Sequence, residues 1–476
     1  MNYEVKTEVI VLGSGPAGYT AAFRCADLGL KTTLVERDKK IGGTCLNYGC
    51  IPSKLFLYVS NIIEETNFFY KKGIVSRKLS VNSERIKIWK NKVVNKMEKN
   101  LSCMAKIRKI KTIYGEGKFI DSNNILVKQD KNSIYVNFKY AIIAVGSKSN
   151  MITNFPKSNR IWNSREALEI KEVPKHMLII GGGIIGLEIA TIYFSLGSKI
   201  DIVESTNQII PSVEKSTSEF YKKIIEKKFN LMIEKKIKSV EIKDEKVIAL
   251  IEDKKKFIKS YEYDVILVAI GRSPNSKLID AQNAGIKLDE NGFVITNNQM
   301  RTNISNIYAI GDVVGNPMLA HKGIHEGKIA AEVISGMRHY FDPKIIPSIA
   351  YTKPEIAWVG LTEIEAEKQG IEFKSSIFPW SASGKAIVSN SEKGFTKILF
   401  DRKTKRIIGG TVVGSNGGEL IGEICLAIEM GCTSEDISLT IHSHPTLHES
   451  ISIASEIFLG TATDLINKRN KRNFYI

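Results

Sequence analysis

Two cysteines in a glycine-rich segment have the residue type and the spacing for redox chemistry. Cys45 and Cys50 stand five positions apart in GGTCLNYGCIPSK, residues 42–54. A disulfide closing so short a loop would add only about 2 kcal/mol of stability in the chain-entropy model. Without a secretion signal, a structural disulfide is also unexpected in a reducing cytosol. The pattern therefore favours a reversible redox pair, with a metal site and two inert thiols as the alternatives.

A histidine-rich segment near the C-terminus, HSHPTLHES, could supply an acid–base group. Its side chains of interest are His442, His444, His448 and Glu449. A glutamate that accepts a hydrogen bond from one imidazole nitrogen fixes the tautomer, so the other nitrogen can take a thiol proton. Metal binding is the alternative here. It is also an alternative for His321, His325 and Glu326 in HKGIHEG, which have the spacing of helical metal ligands but lack a further clear ligand.

Two glycine motifs of the form GxGxxG predict nucleotide-binding turns, because each follows a strand-like run and opens a helix-like one. They consist of Gly13, Gly15 and Gly18 in the first turn and of Gly181, Gly183 and Gly186 in the second, 168 residues later. The first glycine permits the tight turn, the second lets a pyrophosphate approach the backbone, and the third allows close packing of the helix. The phosphates then lie on free N–H groups at the helix N-terminus.

An acidic residue ends the strand that follows each glycine turn, where it could accept hydrogen bonds from ribose hydroxyls. These residues are Glu36 and Glu204. A carboxylate at position 204 would repel a ribose 2′-phosphate, and no arginine occurs between positions 166 and 271 to bind one. The second nucleotide is therefore predicted to be NAD rather than NADP.

The elements that must position these residues are duplicated as well, which predicts two nucleotide-binding domains. The strands of the two copies are predicted at 6–12, 31–36, 177–180 and 199–204. Two further strand-like runs, 140–145 and 264–270, each precede a glycine. After about residue 345, alternating runs such as FTKILF and RIIGGTVVG predict an antiparallel sheet, with helices near 363–369 and 418–430.

The composition is that of a globular protein with a basic surface. The chain has 476 residues and a net charge of +17, with 54 lysines against 14 arginines. Residues 71–111 hold fourteen basic and two acidic side chains. An apolar stripe in the same stretch predicts an amphipathic helix and consists of Ile86, Trp89, Val93, Met97, Leu101 and Met104. Its basic face is either a solvated surface or a docking face for an acidic protein, and no nucleic-acid motif accompanies it.

The apolar run at residues 178–198 is long enough to suggest a membrane span. Three consecutive glycines and Glu188 within it argue against that interpretation. The N-terminal residues do not resemble a targeting signal. A cytoplasmic location is therefore expected.

Together these motifs resemble the flavin disulfide reductases, and among them the enzymes that oxidise dihydrolipoamide with NAD. The resemblance runs from Val9 to about Thr463, with GGTCLNYGCIPSK, GGGIIGLE, VAIGRSPN, YAIGD, MLAHKG and HSHPTLHE as its most specific matches. It implies FAD and NAD as cofactors. It also implies an α/β fold with two Rossmann-like domains and a C-terminal α+β dimerisation domain. The implied division is FAD binding at 1–147, NAD binding at 148–274, completion of the FAD region at 275–346, and the dimer interface at 347–476.

The resemblance implies roles for the matching residues. Cys45 would exchange disulfides with dihydrolipoamide, Cys50 would pass the electrons to the flavin, and His444, oriented by Glu449, would be the acid–base group. Lys54 would lie beside the flavin ring, paired with Glu188. The residues implied to bind FAD are Gly13, Gly15, Gly18, Glu36, Thr44, Lys54, Gly117, Gly146, Asp312 and Ala320. Those implied on the NAD side are Gly181, Gly182, Gly183, Ile184, Ile185, Gly186, Glu188, Glu204, Ile237, Ala269, Gly271 and Arg272.

The resemblance also implies partners. One is a second copy of the chain, because in this family the acid–base histidine serves the active site of the other subunit. The others carry lipoyl groups: the acyltransferase component of 2-oxoacid dehydrogenase complexes, and the lipoyl carrier protein of glycine cleavage. No lipoyl domain precedes the first glycine turn, so the lipoyl group is expected to come from a separate protein.

Related activities fit these residues less well. A glutathione reductase would need basic residues after the second glycine turn, where this chain has EST, and a mercuric reductase would need a C-terminal cysteine pair, where it has NFYI. NADH oxidases usually lack the second redox cysteine, yet Cys50 is present. A non-enzymatic nucleotide-binding scaffold would have lost active-site residues, and none is missing. Lys353, in YTKPE, replaces an acidic residue common in such relatives and is expected to alter surface charge rather than chemistry.

Overall fold

The chain is divided between two units in the computed structural model, which describes residues 3–130 and 132–466. The first unit comprises residues 1–59, 66–174 and 265–342, and the second comprises residues 60–65, 175–264 and 343–476. The four-part division by ligand stays a prediction, because compactness does not report which nucleotide each part binds.

The strands are, in chain order, β1 Tyr3–Leu12, β2 Thr32–Glu36, β3 Lys111–Tyr114, β4 Glu116–Phe119, β5 Asn124–Lys128, β6 Ser133–Ile143, β7 Ser147–Ser149, β8 Ile161–Trp162, β9 His176–Ile180, β10 Lys199–Glu204, β11 Asn230–Ile233, β12 Lys236–Lys243, β13 Lys246–Glu252, β14 Ile258–Tyr263, β15 Val265–Val268, β16 Arg272–Pro274, β17 Ile307–Ala309, β18 Ser348–Ala350, β19 Glu355–Gly360, β20 Phe373–Pro379, β21 Phe395–Asp401 and β22 Ile407–Gly414. The α-helices are α1 Pro16–Asp27, α2 Gly43–Tyr48, α3 Cys50–Lys71, α4 Ser83–Ile107, α5 Ser164–Ala167, α6 Ile184–Ser195, α7 Lys215–Ile225, α8 Ala320–Ile334, α9 Glu363–Lys368, α10 Gly384–Val388, α11 Gly417–Met430, α12 Ser434–Leu439 and α13 Glu449–Leu459. Short 3₁₀ turns occur at Ser276–Ile279, Ala281–Ala284, Gly311–Val314 and Trp380–Ala382.

The main sheet of the first unit has the strand order β3–β2–β1–β6–β5–β4, and β17 also pairs with β6. Strands β1, β2, β3, β6 and β17 run parallel, while β4 and β5 continue the sheet in antiparallel fashion. Val9, Ile10 and Val11 of β1 are fully buried, as expected of a parallel strand that is covered on both faces. The carboxyl ends of β1 and β2 therefore meet at one edge of the sheet, where the first glycine turn and Glu36 lie.

The strand predicted at 140–145 is not a separate element. It is the last part of β6, because β1 pairs with β6 along its whole length, from Tyr3 opposite Ile134 to Leu12 opposite Ile143. The first unit also holds a parallel pair of β8 and β15 and an antiparallel pair of β7 and β16.

Residues 175–264 of the second unit repeat this design in part. Strands β9, β10 and β11 are parallel in the order β11–β10–β9, and β12, β13 and β14 form an antiparallel sheet. Helix α6 is buried continuously from Gly186 to Tyr193. The membrane-like run at 178–198 is therefore a buried strand, a turn and a buried helix. Within the described residues, no helix is long and apolar enough to cross a membrane.

The C-terminal part of the second unit is a five-stranded sheet in the order β18–β19–β22–β21–β20, antiparallel throughout. The strands and helices predicted from the alternating runs are confirmed as β21, β22, α9 and α11. Its core combines inward side chains of the sheet with those of α11 and α13, among them Phe400, Ile424 and Ile451.

The predicted amphipathic helix exists as α4, but only part of its apolar stripe faces inward. Trp89, Met97 and Met104 are 42%, 38% and 40% exposed, whereas Val94 and Ala105 are the buried residues of the helix. Leu101 of the stripe packs on the core of the first unit, and Ile86 and Val93 are half-buried. The inward orientation implied by the sequence pattern is therefore wrong for Trp89, Met97 and Met104 but not for the whole stripe.

Candidate active site

The two cysteines lie on either side of Gly49, in adjacent helices. Cys45 belongs to α2 and Cys50 is the first residue of α3, and both are present as thiols. A hydrogen bond with Cys50, together with burial, raises the pKa of Cys45, while the charge of Lys54 opposes this rise. The site thus holds a close thiol pair with a cation one helical turn away.

Glycine and asparagine residues build the turn that carries the cysteines. Gly42 and Gly43 have φ of +107° and +58°, and a Cβ on Gly43 would lie 2.6 Å from the Cα of Gly15. The Asn47 side chain donates to the carbonyls of Ile41 and Gly43 at 3.1 Å each. The cysteine segment is therefore packed directly on the first glycine turn. Sequence reasoning did not single out Asn47, although it lies between the two cysteines.

Tyr19 is a second residue that the sequence reasoning missed. It follows Gly18 in α1, and burial, with smaller contributions from Cys45 and Cys50, raises the pKa of its hydroxyl. Its position next to the third glycine of the motif was the available signal.

The first glycine turn shows three different environments for its three glycines. Gly13 has φ of +96°, which favours glycine. A Cβ on Gly18 would lie 1.9 Å from the Gly13 carbonyl oxygen, whereas a Cβ on Gly15 would meet no atom within 4 Å. The backbone at Gly15 therefore borders open space at the N-terminus of α1, which fits a pyrophosphate group.

The second glycine turn repeats these environments. Gly181 has φ of +107°, a Cβ on Gly186 would lie 2.3 Å from the Gly181 carbonyl oxygen, and a Cβ on Gly183 would meet nothing within 4 Å. This backbone fits a second dinucleotide at the N-terminus of α6. Ile184 and Ile185 form the first turn of that helix, and Ile185 is 38% exposed.

Each acidic strand-end residue is held by its own glycine turn. Glu36 accepts hydrogen bonds from the N–H of Ser14 at 3.0 Å and from its hydroxyl at 2.5 Å. Glu204 accepts from the N–H of Gly182 at 2.8 Å and from the N–H of Thr206 at 2.8 Å. Neither is a loose surface side chain, since Glu36 is 6% and Glu204 is 9% exposed.

The other residues predicted for FAD are distributed over the first unit. Gly146 has φ of +65° and borders open space, whereas a Cβ on Gly117 would lie 2.8 Å from Leu12. Thr44 is in α2 and Ala320 begins α8. Asp312 accepts a hydrogen bond from the Ser147 hydroxyl at 2.5 Å. Their contacts with FAD stay predictions.

Arg272, predicted on the NAD side, lies beside Asp312, which is predicted for FAD. Its guanidinium donates to the Ser147 hydroxyl at 2.7 Å and carbonyl at 2.8 Å, and its Nε lies 3.9 Å from Asp312. Ala269 and Gly271 follow β15 in the same unit, and the Gly271 carbonyl accepts from the N–H of Asn150. Arg272 thus supports the Asp312 position, and its contact with NAD stays a prediction.

Two residues predicted on the NAD side lie elsewhere in the second unit. Glu188 is 4% exposed in α6 and accepts a hydrogen bond from the N–H of Tyr351 at 3.0 Å. Ile237 is half-buried in β12.

His444 and Glu449 form the predicted acid–base pair. The His444 Nδ1 lies 2.7 Å from the Glu449 carboxylate, whose other oxygen accepts from the N–H of Thr446 at 2.7 Å. Burial alone would raise the pKa of Glu449, but hydrogen bonds from His444 and Thr446 outweigh it, so this pKa lies below its ordinary value. A charged Glu449 keeps a proton on Nδ1 and leaves Nε2 of the exposed His444 available for proton transfer.

Glu423 of α11 is the residue of this region that sequence reasoning missed most clearly. It contacts His442 at 2.7 Å and His448 at 2.8 Å. Nothing in its local sequence marks it, because it stands in an ordinary helical run 19 positions before His442.

Glu326, one of the possible metal ligands, forms an ion pair and a backbone hydrogen bond instead. Glu326 is buried, pairs with Lys322 at 2.8 Å and accepts from the N–H of Gly311 at 2.6 Å. In residues 3–130 and 132–466, no group of three or more potential ligands is arranged to hold a metal ion.

Lys353 is half-buried 3.8 Å from Glu64, and burial lowers its pKa. Lys353 thus belongs to a packed ionic cluster, and the expectation that it does not alter the chemistry stays a prediction.

Comparison with known proteins decides the family. Residues 7–327 match the family described as pyridine nucleotide-disulphide oxidoreductase, and residues 346–455 match its dimerisation domain.

The chain belongs to the pyridine nucleotide-disulphide oxidoreductase family. Its similar relatives include proteins named dihydrolipoyl dehydrogenase. The one from Vibrio parahaemolyticus is 56% identical over 98% of this chain and 99% of its own length. The one from Buchnera aphidicola of Schizaphis graminum is 53% identical over 98% of both chains, and that from Bacillus subtilis is 38% identical over 98% and 99%.

Solved structures show the same fold at lower identity. LpdA from Mycobacterium tuberculosis superposes with a TM-score of 0.87 at 24% identity, covering 95% of this chain and 99% of the other. The flavoprotein disulfide reductase RclA from Escherichia coli, as a Cu(II) complex, has a TM-score of 0.86 at 24% identity and covers 96% and 100%. The predicted α/β fold class is confirmed.

Membership of the pyridine nucleotide-disulphide oxidoreductase family sets the cofactors and the reaction class. Members use FAD and NAD, and the chain is an NAD-dependent oxidoreductase acting on sulfur. The two open glycine turns and the thiol pair are the features of this chain that fit those groups.

Proposed function

We propose that this chain is a dihydrolipoyl dehydrogenase, which oxidises protein-bound dihydrolipoamide and reduces NAD⁺. The observation that carries the proposal is the Cys45–Cys50 thiol pair packed on the first glycine turn, in a chain 53–56% identical to proteins of that name in Vibrio and Haemophilus species. The domain division predicted from the sequence is part of this proposal.

The thiol chemistry follows from the residues of this chain. In the oxidised enzyme Cys45 and Cys50 form a disulfide. A dihydrolipoamide thiol gives its proton to Nε2 of His444 and attacks the Cys45 sulfur, so a mixed disulfide forms and Cys50 leaves as a thiolate. The second lipoyl thiol then attacks the lipoyl sulfur of the mixed disulfide, which releases lipoamide, and its proton passes to the departing Cys45 sulfur, so Cys45 ends as a thiol.

The side chains of this protein cannot by themselves pass the two electrons of the reduced cysteine pair to NAD⁺. FAD, when bound at the first glycine turn, supplies the chemistry that takes two electrons from the thiols and returns them as a hydride to NAD⁺. The charge of Lys54 opposes the rise in the pKa of Cys45 that the hydrogen bond with Cys50 and burial cause. Net, one dihydrolipoamide and one NAD⁺ give lipoamide, NADH and one proton.

Two features support NAD as the second nucleotide. The Glu204 carboxylate is fixed by Gly182 and Thr206, so it would stay near a ribose 2′-phosphate and repel it. The loop after it carries Ser205 and Thr206 rather than basic residues.

The partners proposed are a second copy of the chain and lipoyl-bearing proteins. The dimerisation-domain match at 346–455 supports the homodimer. The same part of the chain exposes large apolar side chains: Leu426 at 64%, Met430 at 72%, Leu439 at 74% and Ile441 at 97%. The lipoyl carriers proposed are the acyltransferase of 2-oxoacid dehydrogenase complexes and the carrier protein of glycine cleavage, encountered in the cytoplasm.

Absorbance and stopped-flow measurements test the proposal. The purified protein is expected to be yellow, to develop a long-wavelength band when mixed with dihydrolipoamide, and then to form NADH when NAD⁺ is added. Cys50→Ser should abolish the band while retaining bound flavin. A protein that binds flavin but is not reduced by dihydrolipoamide would contradict the proposed substrate.

A further inference from the structure

Glu423 joins two histidines that flank the acid–base histidine in the chain. Its two carboxylate oxygens are used separately: one lies 2.7 Å from Nε2 of His442, and the other lies 2.8 Å from Nδ1 of His448. His442 is anchored a second time, because its Nδ1 lies 2.8 Å from the Thr440 carbonyl oxygen. Its imidazole is only 8% exposed. One side chain of α11 therefore holds both ends of the segment 442–448.

This segment needs an external anchor. Residues 440–448 lie between the end of α12 and the start of α13 and belong to no helix or strand, and the hydrogen bonds of Thr446 join it only to Ser443 and Glu449, close by in the chain. The His444 side chain is 80% exposed, and the hydrogen bond to Glu449 holds its ring. The position of the imidazole thus depends on the backbone that carries it.

We propose that Glu423 is a positioning residue for His444. It acts by tying His442 and His448 to α11, so that the segment between them presents Nε2 of His444 in one place. Proton transfer requires the base to lie within hydrogen-bond reach of the thiol, and small displacements of a catalytic group lower the rate steeply. The inference rests on the proposed function and deepens it.

A kinetic comparison separates this role from a general structural one. Glu423→Ala is expected to lower kcat for dihydrolipoamide oxidation about 10-fold or more, while NADH-driven dye reduction, which does not need His444, keeps its wild-type rate. The matched control is Glu419→Ala, an exposed glutamate one turn earlier on α11, which should leave both rates unchanged.

A double variant asks whether Glu423 works through His444. In a His444→Gln background, Glu423→Ala should cause no further loss, because residues that act as a unit are not additive. A full additional 10-fold loss in the double variant, or an equal loss of dye reduction in the single variant, would overturn the proposal.

Histidine labelling tests the same contact without any turnover. In wild-type holoenzyme, His442 and His448 are expected to react slowly with diethylpyrocarbonate, read out by peptide mass spectrometry, and both should react several-fold faster in Glu423→Ala but not in Glu419→Ala. Equal labelling rates in all three proteins would refute the anchor. If the wild type fails to oxidise dihydrolipoamide, the proposed function falls, and the labelling still decides whether Glu423 holds this segment.

Discussion

Glu36 and Glu204, 168 residues apart, make equivalent hydrogen bonds in the two copies of the glycine-turn unit. Each carboxylate binds two backbone N–H groups at matching positions. Each carboxylate accepts from the residue after the first glycine, Ser14 or Gly182, and from the residue two positions beyond itself, Asp38 or Thr206. The two nucleotide turns are thus the same constellation built twice. The difference between an FAD site and an NAD site must come from the surroundings of each turn.

Removing the charge of Glu204 should weaken the preference for NADH. Glu204→Gln keeps the size of the side chain but removes the repulsion of a 2′-phosphate, and it weakens charge-assisted hydrogen bonds that are worth about 1.5–3 kcal/mol. We expect the ratio of kcat/KM for NADH over NADPH to fall at least about 10-fold in dye reduction. Glu36→Gln is the matched control, which should lower flavin content and leave this ratio unchanged. An unaltered ratio in Glu204→Gln would rule out its role in selectivity.

The middle glycines should matter for ligands rather than for folding. A Cβ on Gly15 or Gly183 meets no protein atom within 4 Å, yet it would occupy the space expected for a pyrophosphate. Gly15→Ala should therefore fold and lose bound flavin, seen as a fall in the flavin-to-protein absorbance ratio. Gly183→Ala should keep its flavin and raise KM for NADH about 10-fold or more. Gly18→Ala is the contrasting variant, because its Cβ would lie 1.9 Å from the Gly13 carbonyl oxygen and should prevent stable folding.

Lys397 should be important for stability. Its side chain is 5% exposed and pairs with Glu214 and, at 2.7 Å, with Glu363. Lys397→Met would leave two carboxylates facing each other without a cation, and breaking a buried pair in this way costs about 3–5 kcal/mol. Thermal unfolding should show a clear fall in Tm. The control is Lys393→Met, at an exposed lysine two residues before β21 begins. It should change Tm little.

The same cluster predicts an acid-dependent loss of stability. Burial alone would raise the pKa of Glu363, but hydrogen bonds from Lys397 and Ser375 outweigh it, so the folded-state pKa lies below the ordinary 4.5. A carboxyl with a depressed folded-state pKa contributes stability above its unfolded pKa, and that contribution is lost as the pH falls through the folded value. Denaturant unfolding from pH 6 down to pH 3 should show a weaker acid dependence in Lys397→Met than in wild type. Identical slopes would contradict this assignment.

The basic stretch at 71–111 offers a test of docking. Lys90 lies near Lys87 and Lys40, and burial lowers its pKa, while Lys99 is exposed on the same helix. Charge reversal of Lys90 and Lys99 should weaken the interaction with an acidic lipoyl-bearing protein, raising its KM several-fold at low salt and less at high salt, where the charges are screened. The KM for free dihydrolipoamide should not change. Unchanged affinity for the protein substrate at low salt would eliminate the docking face.

The sequence by itself determined the parts of this protein whose physics is local. The spacing of the glycines, the cysteine pair and the strand-end acids predicted β1, β2, β9 and β10, the helices after each glycine turn, and a family that the comparisons confirm. A glycine turn, or a pair of cysteines five positions apart, is specified by residues that are close in the chain. Its geometry can therefore be predicted from the sequence alone.

Only the tertiary structure decided which distant residues meet. It brought Glu423 to His442 and His448, placed Arg272 beside Ser147 and half-buried Lys353 beside Glu64, and left Trp89 of α4 exposed although the helical pattern indicated an inner face. Each outcome depends on the packing of elements far apart in sequence. A hydrophobic or charged pattern indicates whether burial would favour or oppose a side chain in free energy. The packing of distant elements decides whether that side chain is buried and which residues it contacts.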